Sequence, residues 1–309
     1  MNTNLLRALC NSSVHKCVRH ISAKQSYPKA VKLSYTEHDF EQTGSWEVGS
    51  LGNKDYAPLM VLHGLFGSKS NWHTIAKKLA EDGHRVITVD GRNHGDSDHS
   101  PNMDYYAMRD DVLRLMDDLH LEQTVLVGHS MGGKVAMTLA LSQPERLKAL
   151  VVVDVAPVTS PGGTLLLSYA ERMRQIVPDS HVQVSTARKE ADVQLRPIVE
   201  SSLVRQFLLT NLVEKHGKVQ WRLNLDAIID SYHSVMEFPE FSHPFEKPTK
   251  FIGGSLSHHI SSETIPEIKS LFPMADITHI PGAGHWVHSE NTPEFLSILS
   301  DFLTQKSLS

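Results

Sequence analysis

The chain has 309 residues, with 30 Lys and Arg against 35 Asp and Glu, a formal net charge of −5 at pH 7 and 40% hydrophobic residues. That length suits one large core with a substantial insertion. The charge excludes bulk electrostatic binding to nucleic acid or an anionic membrane, and no apolar run reaches the length of a membrane-spanning helix.

Residues 1–36 differ from the rest. They hold Arg7, Lys16, Arg19, Lys24, Lys29 and Lys32, and no acid precedes Glu37. Leu5, Leu6, Leu9, Val14, Val18 and Ile21 recur at near-helical intervals, the pattern of a mitochondrial transit peptide, and point to the matrix; a disordered basic tail is the alternative. Taking these six cations from the 30 leaves 24 against 35 acids, a net charge of −11 for residues 37–309. Both cysteines, Cys10 and Cys17, lie in this leader. The body therefore has no disulfide, no cysteine metal site and no thiol nucleophile.

Lys32–Phe40 and Ser45–Ser50 alternate as an opening pair of strands. Pro58–Leu62 reads as a buried strand ending in His63-Gly64-Leu65-Phe66-Gly67-Ser68, followed by a helix from near Ser70 to Gly83. His84–Val89 is the next strand, closing on Asp90-Gly91-Arg92-Asn93-His94-Gly95-Asp96-Ser97, and Tyr105–Leu119 is a helix. A strand at Thr124–Val127 leads through Gly128-His129-Ser130-Met131-Gly132 into another helix, and Leu147–Val153 is a strand ending at Asp154. From Thr159 to about Pro244 the patterns turn helical, at Leu165–Ile176, Thr186–Val199, Leu203–Val213 and Ala227–Met236, with an extended piece at Val219–Leu223. Alternation resumes with a strand at Thr249–Ile252, a helix near Ile265–Leu271, a strand at Asp276–Ile280 and a helix at Pro293–Leu303.

Strand–helix alternation means a mostly parallel sheet with helices on both faces, an α/β fold. The expected organisation is a leader at 1–36, a core at 37–157 and 246–309, and a helical cap at 158–245 inserted before the penultimate strand.

Chemistry in such sheets gathers at the carboxyl ends of the strands. The G-x-S-x-G pentapeptide around Ser130 at a strand-to-helix switch is what a nucleophile elbow requires. A serine hydroxyl needs a base within reach. His285, in Pro281-Gly282-Ala283-Gly284-His285-Trp286 late in the chain, suits that role. An oxyanion needs preorganised N–H donors. The backbone of Met131 supplies one, and the His63–Phe66 turn the other, from Leu65 with Phe66 as the alternative. His63, Arg92, Asn93 and His94 read as loop fasteners. His258-His259 has no metal-site spacing, and the chemistry needs no metal and no cofactor. Large apolar side chains in the cap, among them Leu165, Leu166, Phe207 and Trp221, are mostly cap core, with a minority free to line an acyl tunnel.

The set HGLFGS, DGRNHGDS, GHSMGG, VVDVAPV and PGAGHW resembles the α/β-hydrolases, and is similar to the α/β-hydrolase domain-containing protein 11 family, whose bacterial relatives are small acyl esterases. The resemblance runs from about Leu33 to the C-terminus. It implies an eight-stranded sheet, Ser130 as nucleophile and His285 as base. It also implies a mitochondrial acyl hydrolase of lipid esters such as diacylglycerols, associated with the 2-oxoglutarate dehydrogenase complex. A thioesterase on the same triad, or a protective partner of that complex, are the rival expectations.

The triad acid is open at this level. Most α/β-hydrolases place it after the strand that follows the cap, where this chain reads Gly253-Gly254-Ser255-Leu256-Ser257-His258-His259, without a carboxylate before Glu263. Asp154 comes first because the sheet fixes its position. Asp226, in the cap, is the alternative acid, and an acid in the first turn of a helix is also stabilising without any catalysis.

Overall fold

The computed structural model describes residues 29–39, 56–160, 164–179 and 181–304. Among these, seven strands form one sheet in the order β1-β3-β2-β4-β5-β8-β9, every pairing parallel except that of β1. They are β1 (Tyr35–His38), β2 (Leu59–Leu62), β3 (Val86–Val89), β4 (Thr124–His129), β5 (Leu147–Val153), β8 (Thr249–Gly254) and β9 (Ala275–Ile280). The second opening strand expected at Ser45–Ser50, both cysteines and most of the basic leader lie outside the described residues.

The central strands read as unbroken apolar runs because both faces are covered. Alternate residues go to opposite sides. Met60, Leu62, Ile87, Leu126, Leu150 and Val152 join a core with α2 (Tyr105–Asp118) and α3 (Met131–Ser142). Leu59, Val61, Val86, Val125, Val127 and Val151 join a second one with α1 (His73–Glu81) and α11 (Thr292–Leu303). Each fully buried Val or Leu contributes roughly 1.5–3 kcal/mol, so these two layers carry most of what holds the sheet edge above them rigid.

Between β5 and β8 the chain leaves the sheet to form α4 (Leu165–Gln175), α5 (Val184–Leu195), α6 (Ser202–Leu209), the strands β6 (Leu212–Lys215) and β7 (Lys218–Trp221), α7 (Leu225–Asp230) and α8 (Tyr232–Met236). Two details differ from the sequence reading. The helix expected over Leu203–Val213 stops at Leu209, and β6 pairs antiparallel with β7 as a hairpin. Its turn is His216-Gly217, both with positive φ (55° and 74°), the left-handed pair that a two-residue hairpin turn demands. The helix expected over Ala227–Met236 breaks at Ser231 into α7 and α8.

Core side chains fasten this insertion. The Tyr105 hydroxyl donates to the Val235 carbonyl at 2.6 Å, and Lys134 Nζ donates to the carbonyls of Met236 and Glu237 at 2.8 and 3.0 Å. All three acceptors sit at the C-terminal end of α8, where helix carbonyls lack intrahelical partners. The two remaining helices, α9 (Ile265–Leu271) and the short α10 (Val287–Glu290), flank β9.

Candidate active site

Ser130 occupies the switch from β4 to α3 with φ 52° and ψ −118°, a conformation that L-residues avoid. The strain is held by surroundings that leave no alternative. The Ser130 amide donates to the Val153 carbonyl at 3.0 Å, and Lys134 closes the first helical turn onto the Ser130 carbonyl at 3.1 Å. A side chain at Gly132 would place its Cβ 2.5 Å from the His63 carbonyl oxygen, and one at Gly128 would collide with the Gly132 carbonyl. Both glycines are therefore required by close backbone approach.

Asp154 ends β5, beside the elbow. Its side chain is fully buried and both oxygens accept hydrogen bonds. Oδ1 accepts the Gly254 amide at 3.0 Å, while Oδ2 accepts the Ser257 hydroxyl at 2.5 Å and His285 Nδ1–H at 2.7 Å. A carboxylate held in this way, buried and hydrogen-bonded, is what orients an imidazole. Asp226 is elsewhere. Its carboxylate is 77% exposed and lies 3.4 Å from Arg174 Nη1 on the outside of the cap, so the structure brings Asp154 to His285 and does not bring Asp226 there. The reason is local: Asp226 sits in the first turn of α7, whose cap is Asn224, and that turn faces solvent.

The segment after β8 carries no carboxylate, and its function is complementary. Gly254 and Ser257 supply two of the three donors to Asp154, so this loop solvates an acid that comes from a different strand.

His285 lies in the loop after β9. The Glu290 carboxylate accepts the amides on either side of it, from Gly284 at 2.5 Å and Trp286 at 3.3 Å. His129 Nε2–H donates to the His285 carbonyl at 2.9 Å. Burial, and then the positive forms of His288 and His285 nearby, hold His129 well below its ordinary pKa, so it serves as a neutral donor. With Nδ1 committed to Asp154, His285 has Nε2 left for a serine proton.

The oxyanion turn is fastened from below. Gly67 N–H closes on the Gly64 carbonyl at 2.9 Å, and Phe66 has φ 62°. The Phe66 amide donates to His94 Nε2 at 3.2 Å, and His94 Nδ1–H donates to the Arg92 carbonyl at 2.8 Å. Phe66 N–H is thus spent inside the scaffold, and the Met131 amide lies in the first turn of α3. His94 can accept because burial, followed by repulsion from His63, lowers its pKa to about 3. His63 does similar work, donating from Nδ1 to the Gly64 carbonyl at 2.8 Å and accepting the Gly91 amide at Nε2 at 3.0 Å. Arg92 pairs with buried Asp111 through two contacts of 2.6 and 2.7 Å.

Ser130, His285 and the Gly64-Leu65-Phe66 turn line one cavity of about 550 Å³. Leu165, Leu166, Tyr169, Val204, Phe207 and Leu208 from α4 and α6 give it an apolar wall, and Asn71, Ser289 and Glu290 add polar groups to the lining. A wider surface groove of about 670 Å³ on α5 and α6 contains none of these groups, and its Arg196 and Arg205 are already paired with Asp192. Sequence reasoning assigns no role to His129, Ser257 or Glu290. His129 and Ser257 act through contacts with segments 156 and 103 positions away, while Glu290 fastens its own loop.

Residues 57–292 match the family described as alpha/beta hydrolase fold. The chain is 49% identical over 299 residues to the sn-1-specific diacylglycerol lipase ABHD11 of Danio rerio, covering 96% of this chain and 90% of that protein. It is 45% identical over 253 residues to the protein of the same description from Mus musculus, covering 82% of each. Esterase YbfF of Escherichia coli (strain K12) is 32% identical over 247 residues, which cover 80% of this chain and 93% of that one. Among solved structures, a marine microorganism esterase superposes with a TM-score of 0.78 at 33% identity, over 88% of this chain and 100% of the other. Elbow, sheet order and relatives agree: the chain belongs to the α/β-hydrolase family.

Proposed function

We propose that the protein is a serine hydrolase that cleaves carboxylic esters of acylated lipids, of the diacylglycerol type, through an acyl-enzyme on Ser130. One observation carries the reading. A strained serine and an Asp154-anchored histidine open onto the same cavity, whose wall toward α4 and α6 is apolar.

In the first half-reaction His285 Nε2 takes the hydroxyl proton as Ser130 Oγ attacks the ester carbonyl carbon. The carbonyl oxygen becomes an oxyanion held by the Met131 and Leu65 amides. Asp154 keeps the imidazole in the Nδ1–H tautomer and stabilises the imidazolium. The imidazolium then returns its proton to the departing alcohol, leaving the acyl group on Ser130. Water, deprotonated by the same histidine, attacks the acyl-enzyme and releases a fatty acid.

The diacylglycerol preference rests on the relatives from Danio rerio and Mus musculus, which are described as sn-1-specific diacylglycerol lipases. The apolar wall suits the acyl chain of such a substrate. Fatty acid release from diacylglycerol, an acyl thioester and a short p-nitrophenyl ester, compared between wild type and Ser130→Ala, tests it. The reading expects diacylglycerol turnover that the variant abolishes, and equal turnover by both proteins would overturn it.

The basic, acid-free residues 1–36 support import into the mitochondrial matrix. The motif resemblance alone supports association with the 2-oxoglutarate dehydrogenase complex. Co-purification from mitochondrial extracts with wild type and Ser130→Ala tests both statements.

A further inference from the structure

His259 has no part in the chemistry above, yet it is built into the same corner. Its ring packs against the His285 ring with centroids 4.5 Å apart, and its ring nitrogens have no hydrogen-bond partner among the described residues. One ligand atom each from Asp154, His259 and His285 lies within 4.8 Å of the others. The loop that carries His259 is rigidly set. Ser255 N–H donates to the Ile280 carbonyl at 3.0 Å, Leu256 N–H to the Ala283 carbonyl at 2.9 Å, and His279 Nε2–H to the Ile260 carbonyl at 2.9 Å.

We propose that Asp154, His259 and His285 form an inhibitory site for a soft-to-borderline divalent cation, with Zn²⁺ as the ion best matched, which switches the hydrolase off by replacing the proton in the Asp154–His285 hydrogen bond. Two imidazoles and a carboxylate are a zinc donor set, with a fourth position left for water. Hard cations such as Mg²⁺ and Ca²⁺ prefer all-oxygen cages and are poorly served here. Tetrahedral zinc holds its ligand atoms about 2 Å away and therefore about 3.3 Å from one another. The Asp154 and His285 atoms, now 2.7 Å apart, open slightly while the His259 ring moves in.

The inhibition follows from tautomer chemistry. Zinc on Nδ1 of His285 displaces its proton, and the ring takes that proton at Nε2. The nitrogen that should accept from Ser130 is then a donor, and the base is lost without any change of net protonation. The inhibitory consequence rests on the hydrolase reading; the binding itself does not.

The test uses Zn²⁺ for inhibition and Co²⁺ for direct observation. Zinc is expected to inhibit p-nitrophenyl ester turnover reversibly, with recovery on adding a chelator. His259→Gln should retain turnover and require at least about tenfold more zinc, by the penalty typical for damaged metal sites, whereas exposed His258→Gln should behave as wild type. Co²⁺ should give the intense visible bands of a tetrahedral site in wild type and in Ser130→Ala, and lose them in His259→Gln. Because Ser130→Ala reports binding without turnover, a failed hydrolase reading leaves the cobalt result standing. Unchanged zinc sensitivity or unchanged cobalt bands in His259→Gln would overturn the proposal and assign the metal to other histidines.

Discussion

His285 Nδ1 and Asp154 Oδ2 lie 2.7 Å apart although 131 positions separate them, and Asp154 receives two further hydrogen bonds from the end of β8 and the loop after it. Replacing the acid while keeping its shape isolates this relationship. Asp154→Asn is expected to lower kcat by about 10³–10⁴-fold, because the amide favours the wrong imidazole tautomer. Asp226→Asn, at an exposed position, should stay within about twofold. Steady-state turnover of a soluble ester by both folded variants decides between them.

The hydrogen bond from Phe66 N–H to His94 Nε2 makes the oxyanion turn depend on a neutral histidine. His94→Ala should destabilise the protein by about 1–3 kcal/mol, the cost of leaving the buried Phe66 N–H and Arg92 carbonyl without their partner. It should also reduce kcat more than it raises KM, since the turn's amide is needed at the oxyanion and not for substrate binding. Urea unfolding alongside ester kinetics measures both effects.

Acid sensitivity follows from three buried imidazoles. Burial first, and then neighbouring histidines, lower His94 and His288 to about 3 and put His129 well below the ordinary value. Between about pH 6.5, where free imidazole titrates, and the folded values, the unfolded chain binds protons that the folded protein does not. Stability therefore rises with pH across this window. It is complete above about 6.5 and lost as pH falls toward 3, at about 1.4 kcal/mol per pH unit for each fully titrating group. Urea midpoints across this range should fall steeply, and His94→Asn should flatten the slope by the equivalent of one proton.

Lys134 behaves in the alkaline direction. Burial lowers its pKa to about 7, against an opposing effect of Glu237. A neutral amine has two protons, matching the two carbonyls of Met236 and Glu237 that it meets. Between about pH 7 and the ordinary value near 10.4 the unfolded lysine holds a proton that the folded one has released, so stability rises with pH there. Lys134→Met should remove that rise. It should also be less stable near pH 9, because both carbonyls lose their donor.

Much of this was legible in the residues, for identifiable reasons. Ser130, His285 and the strands around them announce themselves because a strained elbow needs its glycines and a strand buried on both faces needs an unbroken apolar run. The acid was not settled by sequence. Asp154 ends a strand and Asp226 opens a helix, both ordinary places for an acid, and only the folding of β5 beside β8 shows which carboxylate meets the imidazole. The Phe66 amide is engaged by His94, 28 residues further on, and no spacing rule encodes that contact. The first strand of the β6–β7 hairpin reads as helix in the sequence because Leu212 and Val213 continue the apolar spacing of α6. The His216-Gly217 turn was the signal that could have stopped it.

The central claim is that Ser130 is a nucleophile made reactive by His285 and Asp154. Mass mapping of the adduct after fluorophosphonate treatment tests it most directly. The account predicts one adduct, on Ser130, which is absent in Ser130→Ala and forms far more slowly in Asp154→Asn. An adduct on another residue, or labelling of Ser130→Ala at the wild-type rate, would contradict it.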